Sequence, residues 1–144
     1  MTPLEQLQEL YAVYEPQATD AKKKSSYFAS VLGTGSDHRN HPCHDQFYHA
    51  VGAVIEDFLA ESPSEQEAGS VLQWLLMTAA DHKSKPTYWY LYAIHSYAAP
   101  LIELAEPALC RQLQEQYNKA YPRIERMPVQ NNIYKALGKR AKKG

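Results

Sequence analysis

A chain of 144 residues, 44% of them hydrophobic, suits one globular domain and excludes a disordered chain. The formal net charge of −1, with a pI near 6.6 and a mean hydropathy of −0.53, excludes the strongly basic balance of a nucleic-acid binder or a membrane-surface protein. The two cysteines, Cys43 and Cys110, are too few for a disulfide scaffold. They read as free thiols in a reducing compartment, which places the protein in the cytoplasm.

The segment Thr2-Pro3-Leu4-Glu5-Gln6-Leu7 lacks the basic start and apolar run of a signal peptide. Leu4, Leu7, Tyr11 and Tyr14 then fall at helical spacing. Thr2 can cap this helix, Pro3 suits its first turn and Glu5 completes a capping box. Pro16 is expected to end it. A second helix runs from about Asp20 or Ser25 to Leu32, with Lys22, Lys23 and Lys24 opposing the dipole if they stand in its first turn. Gly33-Thr34-Gly35-Ser36 is a break.

The third helix starts at Pro42, and Phe47, Val51, Val54 and Phe58 make its apolar stripe. Ser62-Pro63-Ser64-Glu65 closes it and opens a fourth, with Ser64 as cap and Glu67 three residues on. Ala68, Leu72, Leu75, Ala79 and His82 share one face of that helix. A fifth begins at Pro86 and aligns Tyr88, Leu91, His95, Ala98 and Ile102. Pro100 lies inside it and predicts a kink or an early stop. The stretch from Tyr88 to Leu104 comes nearest to a membrane span. It is interrupted by His95, Ser96, Pro100 and Glu103, short of the roughly 18 unbroken apolar residues a span needs. A sixth helix from Pro107 carries Leu109, Leu113 and Tyr117 and stops before Pro122. A short last helix covers Gln130 to Leu137. Alternation is weak and β-branched residues are sparse, so no strand is expected.

The fold class is therefore all-α: one domain of six to seven helices over residues 1–137, with a flexible basic tail over 138–144. Asp37-His38-Arg39-Asn40-His41-Pro42 aligns with Asp81-His82-Lys83-Ser84-Lys85-Pro86 at an offset of 44 residues. The same register sets Tyr48 on Tyr92 and Pro63 on Pro107. A period of about 44 residues with two helices falls in the range of HEAT-like repeats, which would make two stacked helix pairs behind an N-terminal pair.

Two clusters carry candidate chemistry. His38, His41, Cys43, His44, Asp45 and His49 are all residue types that ligate zinc or a similar divalent metal. They match no CxxC pair, no HExxH and no Glu-x-x-His pair. As turn and helix-start residues they have an ordinary role too, since Asn40 or His41 can cap the helix at Pro42. Cys43 in a first turn beside His44 is placed for a lowered thiol pKa. No oxyanion motif or third catalytic member accompanies it. His82 and His95 fall on apolar helix faces, where a histidine is ordinarily buried and hydrogen-bonded. The second cluster is aromatic. Of 11 tyrosines, Tyr88, Tyr90, Tyr92 and Tyr97 crowd one helix together with Trp89. Rings on several sides of a helix must meet another helix, a ligand or a second chain. The basic end, with Lys135, Lys139, Arg140, Lys142 and Lys143 and no acid after residue 132, reads as a solvated terminus on an acidic body, so nucleic acid is not expected.

The function that follows is non-catalytic binding, with an aromatic, histidine-bearing surface offered to a protein partner or to another copy. No cofactor is expected under that reading. The alternative is a metal-binding protein or metal-dependent enzyme built on the cluster at residues 38–49.

Overall fold

The computed structural model describes residues 1–32, 41–81 and 92–143, with side chains for all of these except 26–32, 79–81 and 92. Among them are six α-helices and no strand: α1 (Pro3–Leu32), α2 (Pro42–Ala60), α3 (Glu65–Asp81), α4 (Ala98–Leu104), α5 (Pro107–Ala120) and α6 (Pro128–Ala141). Two 3-10 segments, Tyr92–Tyr97 and Arg123–Glu125, precede α4 and α6. The all-α expectation holds.

Local chemistry sets several helix starts. The Thr2 hydroxyl accepts from the Glu5 amide and donates to the Glu5 carboxylate, each at 3.1 Å. His41 caps α2, its Nδ1 accepting from the Cys43 amide at 3.1 Å, with Pro42 in the first turn. Ser64 and Glu67 form a reciprocal capping box at the head of α3: Ser64 N donates to Glu67 Oε1 at 3.2 Å, and Glu67 N donates to Ser64 Oγ at 3.1 Å. Ser64→Ala should therefore lower the unfolding free energy by about 1 kcal/mol, read as a lower urea midpoint at unchanged slope.

Two proline expectations are corrected. Pro16 does not end the first helix, because α1 runs through it for 30 residues and absorbs the second expected helix. An interior proline costs about 3 kcal/mol because its ring displaces the bond to the carbonyl four residues back. Here that carbonyl belongs to Ala12, and both Pro16 and Ala12 are exposed, so water can satisfy it. The opposite face continues unbroken, with Leu7, Tyr14, Ala18 and Ala21 buried on either side of the proline. Lys22, Lys23 and Lys24 consequently sit mid-helix rather than in a first turn, and Lys24 pairs with Asp20 at 3.0 Å. Pro100 does not kink a longer helix. It is the third residue of α4, where its missing N–H would have no partner in any case. The break falls ahead of it, in the 3-10 segment. His95, Ala98 and Ile102, aligned on one stripe by sequence, are all buried. The expected start at Pro86 lies outside the described residues.

The last helix is longer than expected at both ends. It runs on from Leu137 to Ala141, so the first part of the basic segment is helical. Ala141 is buried. Arg140 donates to the Ala105 carbonyl at 2.9 Å, and Arg111 donates to that of Ala141 at 3.1 Å.

The broadest helix contacts join α1 to α2, α3 to α4 and α5 to α6. The 44-residue register groups α2 with α3 and α4 with α5, so these contacts run across its blocks. Its two matched turns lie largely outside the described residues. The 3-10 segment at Tyr92–Tyr97 touches α2, α3, α4 and α6, which sets His95 at the centre of the domain. Leu72, Leu75, Leu76, Leu101, Leu113 and Leu137 fill the core around it. No helix among the described residues is long and apolar enough to cross a membrane.

Candidate binding groove

Of the His/Cys/Asp cluster, the members carried by α2 do not share one face. Successive residues of an α-helix point about 100° apart, so neighbours in sequence face different ways. His41 stays exposed at the cap. Cys43 and His44 are buried, and His44 Nδ1 shares a 2.7 Å hydrogen bond with the Tyr14 hydroxyl of α1. Asp45 and His49 are exposed. Among the described residues, no three His, Cys, Asp or Glu side chains gather as a metal would require. His38 and His82 lie outside those residues. The expected activation of Cys43 is reversed. Burial pushes its thiol above the ordinary value and outweighs the hydrogen bonds from the Cys43 and His44 amides, which pull the other way. A thiol held protonated is a poor nucleophile.

Of the aromatic cluster, Tyr88, Trp89, Tyr90 and the side chain of Tyr92 lie outside the described residues. Tyr97 is half-buried and belongs to the packing. Its ring stacks on Tyr48, with centroids 4.9 Å apart and planes 28° from parallel. Its hydroxyl donates to the Tyr48 carbonyl at 3.0 Å, and the Tyr48 hydroxyl lies 3.1 Å from Ser96 Oγ. Gly52 makes room for that arrangement, since a Cβ there would stand 2.4 Å from the Tyr97 oxygen.

His95 is likewise built into the core. Its Nδ1 lies 3.1 Å from the Tyr117 hydroxyl, and the rings of Tyr117 and Tyr121 flank it at 5.7 and 5.8 Å. Burial lowers its pKa to about 4, so it is neutral at pH 7. His44 and His95 thus each bond a different tyrosine, one on α1 and the other on α5.

Among the described residues, a concave and mostly apolar feature lies elsewhere, between α1 and α2. It is an open groove of about 640 Å³. Leu10 and Val13 of α1 face Phe47, Ala50, Ala53 and Val54 of α2, while the buried Tyr14 and Cys43 form its floor. Gln6, Gln17 and Gln46 line it as well, and Glu9 is its single charged residue. Each wall is a helical stripe beside the buried one: residues 6, 10, 13 and 17 on α1, and residues 46, 50, 53 and 54 on α2. Ala50 and Ala53 leave the volume open, because a methyl group is all that fills each position. Val13 is 58% exposed at the edge. Sequence reading missed this site. The available signal was the pair of alanines beside the Phe47–Val51 stripe, which otherwise reads as a solvated flank. The groove's lining is mostly apolar, so what it offers is the burial of apolar surface.

No family model, no curated protein and no solved structure matches the chain.

Proposed function

We propose that this chain is a non-catalytic helical binding protein that takes apolar side chains of a protein partner into the groove between α1 and α2. The groove itself carries this reading: a cleft of about 640 Å³ with six apolar wall residues and one charge. Its volume is that of small-molecule and side-chain pockets, about 300–1,000 Å³. Depletion of charge at the centre of a patch is the compositional mark of interface cores. Two helices with a trough between them suit an amphipathic segment presenting anchors at helical spacing. The cytoplasm remains the compartment of this proposal, supported by the two free, buried thiols Cys43 and Cys110.

The test is an amide NMR titration with a leucine-rich amphipathic peptide of about 15 residues, long enough to hold a helix on a surface. Shifts should concentrate at Leu10, Val13, Gln17, Gln46, Ala50 and Ala53, and Ala53→Asp should abolish them while leaving the far-ultraviolet spectrum unchanged. Shifts centred instead on Tyr48, Ser96 and Tyr97, or none at all, would refute the groove as the binding surface.

A further inference from the structure

The groove is concave, and a concave apolar surface is filled only by a convex one. The chain itself displays apolar side chains that could supply one. Among the described residues the exposed large apolar side chains are Met1, Val13, Leu104, Ile124, Met127 and Val129. Two of these six, Ile124 at 95% exposure and Met127 at 49%, fall in the turn between α5 and α6, and a third, Val129 at 36%, is the second residue of α6. An isoleucine displayed to that extent, with two apolar neighbours within five residues, is an apolar knob rather than a scattered surface residue.

The knob is also held in place. Tyr121 at its base is buried. Arg126 donates through Nε to Asn131 Oδ1 and through Nη1 to Asn118 Oδ1, both at 2.9 Å. Its guanidinium also lies over the Tyr134 ring, 4.2 Å from the centroid. The Met127 amide donates to Gln130 Oε1 at 2.9 Å. Pro122 and Pro128 fix the backbone at either side. A turn tied down in this way loses little freedom on docking, which favours its use as a preformed ligand. The charges agree only in sum: Arg123 and Glu125 are both exposed beside Ile124, Arg126 leaves the segment one net positive charge, and the one charge of the groove is Glu9.

We propose that the groove's partner is a second copy of this chain, with the segment at residues 122–129 of one copy seated between α1 and α2 of the next. This rests on the groove reading above and names its occupant. Knob and groove are different surfaces, so the contact is heterologous. Head-to-tail contacts of this kind close into a ring or continue as a filament, according to the rotation between copies.

The experiment is light scattering on size-exclusion fractions, with the wild type followed over a wide range of concentration beside Ile124→Asp and Ala53→Asp. Circular dichroism checks that both variants fold. The wild-type mass should rise with concentration. Each substitution should weaken self-association at least about tenfold, as loss of a central anchor does. An equimolar mixture of the two variants should then form a 1:1 heterodimer and stop there, because Ile124→Asp retains the groove and Ala53→Asp retains the knob. A wild type that stays monomeric throughout overturns the proposal and leaves the groove reading to its own peptide titration. Failure of that titration as well would remove both. Self-association that survives Ile124→Asp but not Ala53→Asp would mean a symmetric groove-to-groove contact, and association indifferent to both variants a different interface. Either result overturns the knob-in-groove arrangement.

Discussion

Acidification from pH 7 to pH 4 should remove about 3 kcal/mol of folding stability through His95 alone. The sign follows from the depressed pKa. In the unfolded chain the imidazole takes a proton near pH 6.5, whereas in the folded domain it resists to about 4. Between those values the unfolded state binds more protons, so stability falls as the pH falls. The contribution is fully present above about pH 6.5 and lost progressively down to about pH 4, where the folded state begins to take the proton too. The cause is the surroundings of the ring, buried against Tyr117 and Tyr121, where water cannot solvate an imidazolium. Carboxylates titrate at the lower end of the same window, so the informative quantity is a difference. Urea unfolding free energies for wild type and His95→Gln, measured in steps from pH 7 to pH 4, should diverge in slope, with the variant flatter. Parallel profiles would mean that His95 is as easily charged in the fold as outside it.

Helix starts were legible in the sequence because they are written in local chemistry. Pro42, Pro107 and the Ser64–Glu67 box each act within one turn, and no distant contact is needed to read them. Pro16 and Pro100 misled for the opposite reason. A proline's effect depends on which face it occupies and where the helix begins, and both are tertiary facts. Pro16 faces water, and Pro100 sits in a first turn that becomes evident only after the 3-10 segment has ended the preceding run. The cluster from His41 to His49 looked dense because the residues are close along the chain. A helix converts closeness along the chain into separation around an axis, and Cys43 and His44 turned inward while Asp45 and His49 turned out. The groove shows the reverse. Leu10 and Val13 meet Ala50 and Ala53 across some forty residues of sequence, and no local pattern announces that meeting. The buried stripes were readable from periodicity, but the surface beside them was not. What opens the groove is the small size of two alanines set against a neighbouring helix.

The same junction bears the second large effect. Phe47 of α2 stacks on Tyr14 of α1, with centroids 4.2 Å apart and planes 7° from parallel, and meets the edge of Tyr11 at 6.3 Å. Tyr14 in turn holds His44 Nδ1 at 2.7 Å. One side chain therefore supports two aromatic contacts and positions a buried hydrogen bond. Phe47→Ala should cost about 3–5 kcal/mol, the usual range for emptying a buried aromatic site, out of a total of about 5–15 kcal/mol for a domain of this kind. Tyr14→Phe, which removes only the hydroxyl from His44, should cost about 1–3 kcal/mol. The larger loss should also be local. α1 packs chiefly on α2 and to a smaller extent on α3, and the α5–α6 pair is built elsewhere. Hydrogen exchange on Phe47→Ala should show amides of α1 opening at lower free energy than those of α5 and α6. If protection fell equally in all three helices, α1 would be part of one cooperative unit and could not loosen alone. If it falls first in α1, the groove's own wall is the least stable part of the domain, and an occupant bound there would stabilise α1 in proportion to its affinity.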